Sequence, residues 1–351
     1  MTKRALITGV TGQDGAYLAK FLLDQEYEVF GTYRRSSTPN FWRLDALGVI
    51  DKINFLHADL NDMASLLEAV TVSEPDEIYN LGAQSFVGAS FEAPLLTGDV
   101  DGLGAARVLE VVRSINPKIR IYQASSSEIY GNVANVERGL TEETPMLPVS
   151  PYAAGKLYAY NLVRIYREGY GLFAANGILF NHESPLRGLE FVTRKITNAA
   201  AQISLGLRNK LELGNLEARR DWGFAAEYVQ AMWKMLQLDK PSDYVIATGS
   251  SYSVQDVLVT AFESLGIDWQ KYVTVDKRQM RPLDVHNLVG DSSKAKADFD
   301  WNPATSFKEL IESMAAADYD RWRRRIDGEV FPWDAPSYPS ESVFLTRGPQ
   351  K

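Results

Sequence analysis

The sequence predicts an α/β protein, a doubly wound parallel sheet with a smaller C-terminal α/β lobe for binding substrate. Three observations carry this. The N-terminal half alternates short apolar runs with amphipathic stretches, the rhythm of a parallel sheet covered by helices on both faces. A spaced glycine triplet, Gly9-Val10-Thr11-Gly12-Gln13-Asp14-Gly15, lies where the first apolar run gives way to the first amphipathic stretch. After Asn181 the rhythm changes, which marks a second unit.

In order, apolar runs with β-branched or aromatic residues predict strands at 5–9, 28–33, 53–58, 77–81, 119–124 and 174–180. Amphipathic stretches predict helices at 14–23, 63–70, 103–112 and 152–166, with Pro151 suited to a first helical turn. Beyond 181 we expect a helix at 192–204, a strand at 211–214, a helix at 225–236, a strand at 244–247 and a helix after Ser253. This divides the chain into a Rossmann-type cofactor domain at 1–181 with segments returning from the C-terminal half, a lobe at 182–330, and an irregular tail at 331–351 rich in Pro, Ser and aromatics. No internal repeat interrupts the pattern. Arg321, Arg323, Arg324 and Arg325 cluster on a late helix and read as a solvated face.

Composition narrows the function. The 351 residues are 45% hydrophobic and 23% charged, as in a folded enzyme and unlike a disordered chain. The net charge of -8 argues against nucleic acid as a partner, since counterion displacement needs a basic surface. The absence of cysteine excludes disulfides, thiolate catalysis and cysteine-ligated zinc, and the reading requires no metal. No apolar run reaches the ~18 residues of a membrane span. The first strand begins near Lys3, so no leader is expected and a cytoplasmic location is.

Gly9, Gly12 and Gly15 would permit a tight turn, close approach of a pyrophosphate and close helix–strand packing. The helix N-terminus then offers free N–H groups to the anion. At the end of the second strand, Thr32-Tyr33-Arg34-Arg35-Ser36-Ser37 carries no acid for a ribose 2′-hydroxyl. Two guanidiniums suit a 2′-phosphate instead, so the expected cofactor is NADP. Asp59, followed by Leu60, closes the third strand, where its carboxylate could accept from an adenine amino group. Leu81-Gly82-Ala83 ends the fourth strand with little bulk, leaving room for the cofactor.

Tyr152 and Lys156 lie four apart on one predicted helix, so they share a face. A tyrosine with an ordinary pKa of ~10 needs a neighbouring ammonium to act as a base near neutrality. The fifth strand ends in Ser125-Ser126-Ser127-Glu128, at the carboxyl edge where this architecture places its chemistry. A hydroxyl there can hold a sugar hydroxyl undergoing oxidation. Glu128 can remove a carbon-bound proton made acidic by an adjacent ketone.

Together these strings resemble the GDP-mannose 4,6-dehydratases, within the extended short-chain dehydrogenase/reductase family. The glycine motif and Tyr152/Lys156 are common to the wider family. Arg34-Arg35-Ser36-Ser37, Phe180-Asn181-His182-Glu183-Ser184-Pro185 and Leu213-Gly214-Asn215-Leu216 with Arg219-Arg220-Asp221-Trp222-Gly223 are more specific. The resemblance runs from about residue 3 to 318. It implies catalytic roles for Ser126, Glu128, Tyr152 and Lys156. It also implies NADP contacts from Gly9, Thr11, Gly12, Gln13, Asp14 and Gly15, from Arg34, Arg35 and Ser36, and from Asp59 and Leu60. Leu81, Gly82, Ala83, Gln84, Ser85, Lys156, His182 and Arg187 complete that set. Ser85, Ser127, Asn181, Lys195, Arg220 and Arg281 would face a GDP-linked hexose. It further implies a homodimer or homotetramer, with helices near 103–112 and 152–166 at one interface.

The chain departs from the family pattern at Ser126 (usually threonine), Leu96 (tyrosine), Leu186 (arginine), Phe224 (histidine) and Ser250-Ser251-Tyr252-Ser253. These leave open the nucleotide base and the sugar. An NADP-dependent reductase or epimerase, a dehydratase of another nucleotide sugar, and a non-catalytic dinucleotide-binding sensor remain as alternatives.

Overall fold

The computed structural model describes residues 2–36, 40–133, 139–276 and 282–329. Its centre is a seven-stranded, wholly parallel sheet. The strands are β1 (Arg4–Thr8), β2 (Glu28–Tyr33), β3 (Asn54–His57), β4 (Glu77–Asn80), β5 (Arg120–Ser126), β6 (Ala174–Leu179) and β7 (Tyr244–Ile246), in the spatial order 3-2-1-4-5-6-7. The order reverses between β1 and β4, and there the carboxyl ends diverge into a crevice.

Alternation along the strands sets the two cores. Ala5 and Ile7 face α1 (Gln13–Asp24), whose Leu18 and Leu22 are fully buried. Leu6 and Ile78 face the other side, against α2 (Met63–Ser73) and α3 (Gly104–Ile115). Asp62 caps α2 by accepting from Ala64 N (3.1 Å). Ser150 caps α4 (Pro151–Tyr170) by accepting from Ala153 N (3.1 Å), with Pro151 in the first turn and Gly171 (φ 69°) ending the helix. A π-helical turn at Gly98–Leu103 precedes α3 and packs on α4.

The lobe is a three-helix layer of α5 (Val192–Ser204), α7 (Val254–Ser264) and α8 (Phe307–Ile326) over short two- and three-stranded sheets. Its core joins Ile196, Ala200, Leu258, Phe262, Leu310 and Met314. Within it the Arg194 guanidinium pairs with Asp318 at 2.7 Å, both fully buried. Ser253 and Ser306 each open a helix with a reciprocal capping box, to Asp256 and Glu309.

Two elements beyond residue 181 join the central sheet rather than the lobe layer, the helix at 225–236 having been expected in the lobe. The helix Ala225–Gln237 (α6) packs on α1, and β7 extends the sheet beside β6. Both return to the first core, where Met232 and Met235 are fully buried with Leu22. Periodicity fixes an element's type, whereas its partner is chosen by which apolar face remains uncovered. Arg324 of the late arginine cluster is exposed and pairs with Glu329, while Arg321 pairs with the buried Asp318. The tail from 331 lies outside the described residues, as do Ser37 and Arg281. No helix among the described residues is long and apolar enough to cross a membrane.

Candidate active site

A cleft opens at the carboxyl ends of β1, β4 and β5, and the lobe forms its far wall. One wall is backbone. Gly9 adopts φ 69°, and Gly12 N donates to Gly9 O at 3.0 Å, closing the turn. A Cβ on Gly15 would sit 2.4 Å from Gly9 O and 2.6 Å from Val10 Cα. A Cβ on Gly9 would meet Gly82 Cα at 2.9 Å. The first turn of α1 has no side-chain cap, so its N–H groups remain available at the cleft. The cradle therefore fits a dinucleotide pyrophosphate.

Beneath the cradle a polar ladder crosses the sheet. Thr8 Oγ1 donates to Asn80 Oδ1 (2.6 Å) and accepts from Leu81 N and Gly82 N (both 3.0 Å). Asn80 Nδ2 donates to Gln123 Oε1 (2.7 Å), and Gln123 Nε2 donates to Ala124 O (3.1 Å). The same carbonyl accepts from Lys156 Nζ at 3.0 Å. The ladder thus joins the crevice floor to the lysine.

Asp14 and His182 form a second joint. Asp14 Oδ2 lies 2.7 Å from His182 Nε2, and His182 Nδ1 lies 2.7 Å from Phe180 O. Both imidazole nitrogens face acceptors, which favours the imidazolium. Burial opposes its charge, but Asp14 outweighs burial and raises the His182 pKa. Burial likewise works against the Asp14 carboxylate, which His182 and Gln13 nevertheless hold at about 2. Tyr228 stacks on the imidazole at 4.7 Å.

The opposite wall is built from side chains. Ser126, Ser127, Glu128, Tyr152 and Lys156 are all buried and all line the cleft. Ser126 hydrogen-bonds Tyr152, and Lys156 Nζ lies 5.8 Å from the Tyr152 ring centre. Burial, with the Asp101 carboxylate adding to it, pushes the Tyr152 phenol up, and the Ser126 hydrogen bond opposes that shift. Burial lowers the Lys156 ammonium. Arg220 reaches over Glu128, its Nε 3.6 Å from Oε1. Its Nη1 donates to Val285 O (2.7 Å) and its Nη2 to Asp284 Oδ1 (3.2 Å). Asp221, fully buried, accepts from Thr248 N, Thr248 Oγ1 and Gly249 N, which fixes the strand carrying Arg220.

Of the expected site residues, the cleft also gathers Gln13, Leu81, Ala83, Ser85, Asn181 and Arg187. Arg187 pairs with Glu183 at 3.1 Å and lies 3.5 Å over the Phe191 ring. Thr11 turns its carbonyl to Arg43 (3.2 Å). Gly82 forms the floor behind Gly9, against buried Leu60. The Gln84 side chain is spent on Phe86 and Thr97. Arg34, Arg35 and Ser36 are exposed just past β2, and Asp59 lies past β3. Lys195 sits in the first turn of α5, outside the residues lining the cleft. Sequence reasoning missed Phe86, Phe191, Trp222 and Asp284 in the lining. Trp222 lay inside a quoted motif, whereas Asp284 carried no signal. The departures Leu96, Leu186 and Phe224 lie off the cleft wall: Leu96 is exposed, Leu186 is buried, and Phe224 packs edge-on against Tyr17.

A doubly wound sheet with a glycine turn at its switch point and a Tyr/Lys helix beside a serine-bearing strand end defines an extended short-chain dehydrogenase/reductase. Among solved structures, the chain has a TM-score of 0.78 to the UDP-glucose 4-epimerase of Thermus thermophilus, at 25% identity over 91% of this chain and 99% of that one. It has a TM-score of 0.79 to the dTDP-glucose 4,6-dehydratase of Bacillus anthracis, at 21% identity over 92% and 98%. The sequence model of GDP-mannose 4,6 dehydratase matches residues 6–314. GDP-mannose 4,6 dehydratase 1 of Arabidopsis thaliana is 49% identical over 92% of this chain and 91% of its own length. The human GDP-mannose 4,6 dehydratase is 46% identical over 91% and 92%. The chain belongs to the GDP-mannose 4,6-dehydratase family.

Proposed function

We propose that this cleft converts GDP-mannose to GDP-4-keto-6-deoxymannose and water, with NADP as the resident cofactor. One observation carries the reading: a buried carboxylate, Glu128, shares the cleft with the Ser126–Tyr152–Lys156 constellation. It offers a base for a C5 proton, which an epimerase does not need, and cofactor stoichiometry separates the reading from a reductase. The glycine wall, Arg34, Arg35 and Arg187 would hold the dinucleotide, which supplies reversible storage of one hydride. Arg34 and Arg35, with no acid beside them, support NADP over NAD.

The protein's own groups then handle protons. Ser126 orients the C4 hydroxyl, and Tyr152 accepts its proton as C4 becomes a ketone. That ketone acidifies the C5–H bond. Glu128 removes the C5 proton and returns it to the C6 hydroxyl, which leaves as water. Tyr152 would return its proton to C5, where the carbanion forms once the bound cofactor supplies its hydride at C6. Lys156 keeps a positive charge near the phenolate. Asn181, Ser127, Ser85 and Arg220, with Lys195 and Arg281, would embrace the nucleotide sugar.

Incubating the protein with GDP-mannose and catalytic NADP⁺ should remove one water from every substrate molecule without net NADPH accumulation. Stoichiometric consumption of NADPH would point to a reductase instead. We also place a subunit interface on the face of α3 and α4, where Leu103, Tyr158 and Ile165 are exposed. Sedimentation should give a dimer or larger, and Ile165→Glu should shift it toward monomer. A cytoplasmic location, where nucleotide sugars and NADP are at hand, belongs to the same proposal and is checked by fractionation.

A further inference from the structure

Asp101 lies in the π-helical turn before α3 and is 2% exposed. Its Oδ1 accepts from Gln84 N at 2.7 Å, just past the strand end that floors the cleft. Its Oδ2 is buried without a hydrogen-bond partner. Its Cβ would lie 3.3 Å from a Cβ on Gly155, the residue before Lys156. A buried carboxylate oxygen left unpaired is costly unless a positive charge compensates it. Lys156, whose ammonium makes one hydrogen bond to Ala124 O, is the neighbouring cation. Gly155 also explains the fit, since a larger side chain there would push the π-helical turn off α4.

We propose that Asp101 is a positioning residue, the buried counter-charge that keeps Lys156 protonated beside Tyr152. This rests on the assignment of Tyr152 and Lys156 as the working pair. Burial alone drives the Lys156 ammonium toward neutrality, and Asp101 is its foremost opponent, with Asp14 behind it. Burial raises the Asp101 carboxyl to about 6 against the pull of Lys156 and Gln84 N. No hydrogen bond joins the Asp101 carboxylate to the Lys156 ammonium, so Asp101 acts as a buried counter-charge rather than as one half of a contact ion pair. The other charged groups acting on Tyr152 and Lys156 are Glu128 after β5, Arg187 in the lobe wall and Asp14 on α1.

Removing one negative charge lowers the pKa of every neighbouring group. Asp101→Asn should therefore move both limbs of the kcat pH profile to lower pH, and lower kcat at pH 8 about tenfold. Asp101→Glu should restore the limb positions even where kcat stays reduced. A lost structural hydrogen bond would lower kcat and leave both limbs in place. A second readout needs no turnover. In protein labelled with [6-13C]lysine, the Lys156 resonance, assigned by its loss in Lys156→Met, should titrate at lower pH in Asp101→Asn than in the native protein. In the native protein it should also respond near pH 6 as Asp101 gains its proton. An unmoved Lys156 titration in Asp101→Asn, or a native Lys156 resonance blind to pH near 6 where Asp101→Asn does not fold, overturns the proposal. Because the titration is read in the free protein, it stands apart from whether GDP-mannose is the substrate.

Discussion

The wall of the cleft given by β1 and α1 is built from backbone, whereas the wall given by the end of β5, α4 and the 219–220 strand is built from side chains. On the first wall, recognition depends on the absence of atoms: Gly15 and Gly9 have no room for a Cβ. On the second it depends on the protonation and direction of Ser126, Glu128, Tyr152, Lys156 and Arg220. The first wall should therefore fail by losing cofactor affinity and packing, and the proton-handling groups of the second by losing rate with cofactor binding intact. Mutations can separate these two modes.

The largest effect falls on the side-chain wall. Tyr152→Phe should lower kcat by roughly 10⁴-fold, the upper range for a positioned acid–base group, because the phenol acts at both ends of the reaction. NADP affinity, measured by fluorescence titration, should hold within about threefold; a collapse of binding would contradict the division. Glu128→Gln should cost roughly 10²–10³-fold. A single turnover should still reduce the cofactor transiently, while incorporation of solvent deuterium at C5 disappears. If deuterium still enters at the native rate, another base takes that proton.

The backbone wall should show the opposite signature. Gly15→Ala forces a Cβ against Gly9 O and Val10, an overpacking cost of about 1–3 kcal/mol. Calorimetry should find a lowered Tm and cofactor binding weaker by about tenfold. A Tm and Kd equal to the native values would remove the steric argument. Narrower in scope, Arg34→Ala with Arg35→Ala should weaken NADP binding about tenfold while leaving NAD binding and the Tm unchanged, as expected for a lost phosphate contact. Equal losses for both cofactors would place these arginines elsewhere.

The smallest effect belongs to the joint between the walls. Asp14 is depressed to about 2 and His182 is raised. The carboxylate's contribution is present above its unfolded value of ~3.9 and fades as pH falls through about 2. The imidazolium's contribution is complete below its unfolded value of ~6.5 and fades as pH rises through the folded one. The Tm difference between the native protein and His182→Ala should therefore be greatest between about pH 4 and 6.5 and shrink above. A difference that grows toward pH 8 would mean a neutral imidazole.

The backbone wall was the more legible in the sequence. Gly9, Gly12 and Gly15 sit within seven consecutive residues, so one local pattern specifies a whole subsite. The first six strands and the helix at 192–204 were readable for the same reason, since β-branched runs and amphipathic repeats are local. Tyr152 and Lys156 were visible because helical periodicity places them on one face. The rest depends on contacts distant in sequence. Asp284 enters the lining through Arg220, and the Asp14–His182 joint closes a span of 168 residues. Asp101 was invisible because nothing local distinguishes it from the half-buried acid Asp99, two residues before, which pairs with Arg107. Neither did any local feature tell that Ala225–Gln237 returns to cover the first core.

The ladder of Thr8, Asn80, Gln123 and Ala124 bears on how such a protein can drift over generations. Each member satisfies the next, so a single exchange leaves a buried donor or acceptor stranded at a cost of about 1–3 kcal/mol. Change at one rung becomes tolerable only after change at another. The three side chains should therefore be inherited as a block, with strongly non-additive double mutants, even though none of them touches the reacting sugar.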